Sequence, residues 1–127
     1  MDKIAVGRLF EFYLDTVNKC GDSIKKLSDD MIGYYIFEDF IIGITSYLEK
    51  CSLDKLIEDG IIDEEIYSNS VKLRSATLEL EGTDSWNVIS VKNSIEWDRI
   101  LKLSDKIKQQ LNDRWTEEDI QHLLTLK

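Results

Sequence analysis

The sequence predicts an all-α fold: an antiparallel bundle of five to six helices forming a single domain over residues 1–127. Three observations predict it. Apolar residues recur at three- and four-residue steps along most of the chain, glycines and capping residues punctuate those runs, and no proline interrupts them. With 127 residues and 43% hydrophobic content the chain can enclose a real core, and it is too apolar to remain disordered. An α+β fold with one small hairpin near residues 86–91 is the alternative.

The first helix is expected from Ile4 to Cys20, where Val6, Leu9, Phe10, Tyr13, Val17 and Cys20 gather on one face and Gly21 supplies a stop. A second opens at Ser28, a capping hydroxyl, with Asp29 and Asp30 in the first turn where the helix dipole favours negative charge. It runs towards Cys51. Its aromatic and isoleucine content is high all round, which places it at the centre of the core, and Gly33 and Gly43 each weaken it by about 1 kcal/mol relative to alanine, with a kink or break expected near Gly43.

Ser52 reads as the cap of a short helix from Leu53 to Asp59 that ends at Gly60. Asp63 caps the next, in which Ile66, Leu73 and Leu80 recur at sevens around the small Ser70, Ala76 and Thr77, until Gly82 closes it. Val88, Ile89 and Val91 break helical periodicity and read as a short extended piece. Asn93 and Glu96 have the spacing of a capping box, ahead of a helix that carries Ile95, Trp97, Ile100, Leu101, Ser104, Ile107 and Leu111 to about Arg114. A last helix starts at Thr116, with Glu117, Glu118 and Asp119 in its first turn and Ile120, Leu123 and Leu124 facing inward.

The N-terminal stretch around Asp2, Glu11 and Asp15 lacks the basic flank and uninterrupted apolar run of a secretion signal. Met31 to Leu48 is broken by Glu38 and Asp39, so it is not a membrane span. A cytoplasmic protein is expected. Cys20 and Cys51, which stand at no metal-ligand spacing, are then read as small buried hydrophobes, with a disulfide between them as the alternative.

Net charge is −9, and its location is informative. Residues 28–66 hold eleven acids (Asp29, Asp30, Glu38, Asp39, Glu49, Asp54, Glu58, Asp59, Asp63, Glu64, Glu65) against Lys50 and Lys55, which accounts for the whole imbalance. Acids at helix starts solubilise and suit the dipole, which explains Asp29, Asp30 and Asp63 to Glu65 better than Asp54, Glu58 and Asp59. An acidic block disfavours direct contact with nucleic acid or an anionic membrane and favours a basic protein or a cation. Tyr34, Tyr35 and Tyr47 lie within it, and tyrosine among carboxylates makes a workable anchor for an arginine- or lysine-rich partner, although tyrosines at this spacing also fill cores.

Catalytic signatures are absent from the sequence. His122 is the sole histidine; with Glu118 and Asp119 it forms at most a surface pair that closes no coordination sphere. There is no phosphate loop, no nucleophile elbow, no HExxH and no EF-hand loop. Asp54, Glu58 and Asp59 are the nearest approach to a carboxylate metal cluster. Neither an enzymatic activity nor a cofactor is expected.

At Tyr34 to Asp39, YYIFED, paired tyrosines followed by acids in a small helical chain resemble the immunity proteins that neutralise bacterial nuclease toxins. In the colicin DNase group a tyrosine pair and nearby carboxylates cover a basic toxin face, but that family is shorter and has a proline after its tyrosines that this chain lacks. The broader class, immunity proteins of contact-dependent growth inhibition and related systems, has diverse sequences and no shared motif. The resemblance implies an inhibitor of a cognate basic toxin domain in which Tyr34, Tyr35, Glu38 and Asp39 play the comparable parts; the acidic block, read from the charge alone, adds Asp54, Glu58, Asp59, Asp63, Glu64 and Glu65 as partner-binding candidates. A helical adaptor or nucleic-acid-mimicking regulator is the alternative, and a carboxylate-based metal enzyme resting on Asp54, Glu58 and Asp59 or on Asp119 and His122 is the less favoured one. The chain is expected to be a monomer or weak dimer, a hydrophobic stripe left bare on the second helix being the sign of the dimer.

Overall fold

In the computed structural model, which describes residues 4–127, the apolar face read from Val6, Leu9, Phe10, Tyr13 and Val17 becomes the buried side of α1 (Val6–Asn18). Asp2 lies outside the described residues. A 3-10 turn (Asp22–Lys26) follows. Gly21 is no left-handed stop: its backbone is extended, at φ 167°, and an added Cβ would meet the Asp105 carboxylate at 2.5 Å.

The segments Asp29–Tyr34, Tyr35–Phe40 and Ile41–Tyr47 run on as one helix, α2, whose middle third is wound as a π-helix. Ser28 caps it as its position predicts, accepting the Met31 amide. There is no break at Gly43; the helix stops after Tyr47 instead. Glu49, and not Ser52, then caps α3 (Lys50–Glu58), its carboxylate accepting the Ser52 amide at 2.8 Å. Gly60 and Gly82, both at left-handed φ, end α3 and α4 as expected.

In α4 (Glu64–Leu80), capped by Asp63, Ile66, Ser70, Leu73 and Thr77 are buried while Leu80 is half-buried. The expected extended piece is a helix, α5 (Val88–Asn93), started by the Asn87 side chain. Ile89 is 72% exposed and Val91 fully buried, opposite fates two residues apart that a helix permits and one face of a strand does not. The hairpin alternative falls with it. Ser94, and not Asn93, caps α6 (Ile95–Arg114), because the Asn93 amide is turned back onto the Ile89 carbonyl at 3.0 Å. In α7 (Glu117–Leu123) the Thr116 hydroxyl and the Asp119 carboxylate exchange backbone amides in a capping box. The described residues thus form seven helices and no strand, an all-α bundle.

Both α1 and α2 build the core: α1 packs against α2, α3 and α6, α2 also packs against α3, α4 and α5, and α4 lies along α6. Two buried hydrogen bonds tie α1 in place: the Tyr13 hydroxyl meets that of Ser70 on α4 at 2.6 Å, and Ser104 of α6 donates to the Val17 carbonyl at 2.9 Å. A satisfied buried hydrogen bond fixes register, because breaking it strands a polar atom. Cys20 is buried here, and burial pushes its thiol up to about 12 despite the nearby Lys108 ammonium. Cys51 corrects the expectation made for it: it is exposed, and both cysteines are free.

Candidate functional site

An α-helix turns each residue by roughly 100°, so side chains spaced by four drift about 40° per step and such a row winds around the axis. On α2 it does not wind. Ile32, Ile36, Phe40 and Ile44 are all buried, and Leu48 continues the row just past the helix end. Asp30, Tyr34, Glu38, Ile42 and Ser46 are all exposed. The π segment between Tyr35 and Phe40 reconciles the two rows, since its wider turn rotates each residue less and removes the accumulated drift. The product is a straight solvent-facing row on the order of 20 Å long that alternates acid with aromatic or aliphatic groups.

Within this row Tyr34 is 50% and Ile42 59% exposed. The YYIFED residues divide by role. Tyr34 and Glu38 face solvent, while Tyr35 and Asp39 are half-buried and share Lys19, whose ammonium lies 4.7 Å from the Tyr35 ring centroid and 3.5 Å from Asp39 Oδ2. Lys19 therefore offsets part of the Asp39 charge and braces the Tyr35 ring. The two tyrosine rings sit 6.1 Å apart. Beside the row runs a groove of about 280 Å³ between α1 and α2, edged by Asp15, Asp39 and Ile42 and walled by the stacked rings of Phe12 and Tyr47, 4.7 Å apart.

The remaining acids of the 28–66 block have different fates. Asp29 pairs with Lys92. Asp54 accepts Lys50 at 2.8 Å and the Tyr67 hydroxyl at 2.7 Å, and these bonds hold its carboxyl below the usual range. Asp63 caps α4 and lies 3.9 Å from Arg114. Glu58, Asp59, Glu64 and Glu65 are exposed around the turn from α3 to α4. The block thus supplies two groups of outward carboxylates, on α2 and on the α3–α4 turn, with Glu49 and Asp54 between them in the chain and spent on internal bonds.

Sequence reading did not single out Lys19, Phe12, Asp15 or Ile42. Their signal was present: large apolar residues at 32, 36, 40, 44 and 48 hold a spacing of four over too many turns for an unmodified α-helix. The acids at Asp30 and Glu38 interrupt the row, so α2 carries no continuous hydrophobic stripe of the kind that would mark a dimer.

Among the described residues no three histidine, cysteine or carboxylate side chains come together as a metal-holding group. The Asp119 carboxylate serves the α7 cap, and His122 is exposed in the last turn. No helix among the described residues is long and apolar enough to cross a membrane. Comparison of the chain with protein-family models, curated proteins and solved structures gave no match.

Proposed function

We propose that this chain is an immunity-type inhibitor that binds and neutralises a basic protein toxin, a nuclease domain, through the exposed row of α2. The observation that carries the reading is the π segment in the middle of the YYIFED stretch: it aligns Tyr34, Glu38 and Ile42 on one line, and π turns are frequent at functional sites. A flat line of acid, ring and aliphatic side chain suits a partner with arginines and lysines over an apolar floor. Glu38 and Asp30 steer the encounter, whereas Tyr34 supplies buried contact area once docked. The outward acids of the α3–α4 turn, Glu58, Asp59, Glu64 and Glu65, extend the negative field that draws the partner in. Tyr35 and Asp39 support the surface from beneath through Lys19.

The test takes the product of the neighbouring reading frame, expected on this proposal to end in a basic, toxin-sized domain, makes that domain inactive and mixes it with this chain in a stopped-flow instrument. The association rate is expected to fall steeply with added salt and to fall again in Glu38→Lys. Tyr34→Ala should act on dissociation, weakening the complex about thirtyfold, the effect of losing an anchor of about 2 kcal/mol. Failure of the two chains to associate would refute the proposal. A complex whose rates are unmoved by both variants would refute the assigned surface.

A further inference from the structure

On the face of the molecule where the chain turns from α2 into α3 and meets α4, Leu48, Lys50, Tyr67, Val71, Arg74 and Ser75 line a groove of about 310 Å³. Its walls are mostly carbon. Leu48 is fully buried at its base and Val71 is 41% exposed at its edge, with the Tyr67 ring held in place by the hydroxyl bond to Asp54. Two cations stand over this apolar floor. Lys50 is at the mouth and is already paired with Asp54.

Arg74 is different. Its Nε is covered by protein and has no hydrogen-bond partner, and no hydrogen bond or ion pair among the described residues reaches its guanidinium. A buried Nε–H without an acceptor costs free energy. In a chain with nine more acids than bases, finding it a carboxylate should be easy. The lining residues include no carboxylate, and Asp54, which holds two of them, is occupied on both oxygens by Lys50 and Tyr67. The arrangement holds back one positive charge, in a planar fork that matches carboxylate geometry, above a hydrophobic slot.

We propose that this groove is a binding site for a small organic anion, a carboxylate carried on a short apolar or aromatic body, with Arg74 as the anion-binding residue. The carboxylate pairs with the guanidinium, and the body lies against Leu48, Val71 and the Tyr67 ring. The volume holds about ten water-sized groups, at the small end of ligand pockets. Lys50 adds long-range attraction at the entrance. The site lies apart from the exposed row of α2 and does not depend on the function proposed for that row.

The experiment is a titration of the uniformly ¹⁵N-labelled full chain with benzoate, acetate and inorganic phosphate, followed by NMR at the Arg74 side-chain Nε–H and at the Val71 and Ser75 amides. Benzoate is expected to shift these signals saturably, more tightly than acetate, with phosphate weakest for want of an apolar body. Arg74→Met should weaken benzoate binding about tenfold or more, and Arg74→Lys, which keeps the charge but loses the fork, should weaken it too. Melting curves of both variants establish that they fold. No saturable shift with benzoate would overturn the proposal, as would undiminished binding by folded Arg74→Met. Equal binding of phosphate and benzoate would overturn the assigned ligand class.

Discussion

Replacing Gly43 by alanine should destabilise the protein, while the same change at Gly33, ten residues earlier on α2, should stabilise it. Both substitutions gain about 1 kcal/mol of helix propensity. What differs is the space. A Cβ built on Gly43 falls 1.9 Å from Thr16 Oγ1, 2.6 Å from its Cγ2 and 2.7 Å from its Cβ, all far inside the contact distance of roughly 3.5–4 Å. Thr16 is buried, its hydroxyl donates to the Phe12 carbonyl at 2.8 Å, and a β-branched side chain in a helix has few rotamers to escape into. The helices must therefore separate. Overpacking of this kind costs about 3 kcal/mol, which leaves a net loss of about 2 kcal/mol and a fall in Tm of roughly 6–8 °C for a chain of this size. At Gly33 the new methyl meets only Val88 Cγ2, at 3.8 Å, an ordinary contact. Tm should rise there by roughly 2–4 °C. Thermal unfolding followed by circular dichroism measures both, and Thr16→Ala placed in the Gly43→Ala background should recover part of the loss by removing two of the three clashing atoms. A Gly43→Ala protein that melts at or above the parent temperature would refute the close crossing of α1 and α2.

Thiol titration with a disulfide reagent at neutral pH should detect Cys51 alone in the folded chain and both cysteines in denaturant; prompt reaction of both thiols before unfolding would contradict the burial of Cys20. Alkaline stability follows from the same burial. Cys20 and Tyr13 are both pushed up by desolvation, Cys20 to about 12, so each stays protonated in the fold at a pH where the unfolded chain ionises it. The stability they support is complete below the unfolded thiol value of about 8.5 and is lost as pH rises beyond it. Urea midpoints should hold steady from about pH 7 to that value and then decline, less steeply in Cys20→Ala; parallel declines would remove Cys20 from the account.

Helices were legible where an apolar face was clean, as at Val6 to Val17, or where a single end signal stood alone, as at Ser28, Asp63 and Thr116. Where two capping residues stood close together the sequence had no means to choose. Ser94 prevails over Asn93 in a setting where α6 is anchored by the Trp97 indole, which donates to the distant Ser85 carbonyl at 2.7 Å. The β-branched residues Val88, Ile89 and Val91 misled because β propensity describes a fit to a half-buried pleated surface, and here the neighbours are helices, α6 and the Asp29–Tyr34 part of α2. The location of the charge was legible, but its availability was not. Whether Asp39, Asp54 or Asp63 can face a partner depends on Lys19, Tyr67 and Arg114, which other helices bring to them.

Phe37 belongs to the π segment, and its ring touches both Trp86 and Trp97, with centroids 4.9 and 5.9 Å away, while the two indoles lie 5.6 Å from each other. The inner side of α2 thus rests on a pair of coupled fluorophores, and the third tryptophan, Trp115, is fixed elsewhere by its bond to the Ile61 carbonyl. Emission from the pair senses the seating of α2 without any attached label. A ligand that presses on or loosens the wide turn changes their light, and Trp115 supplies the internal reference.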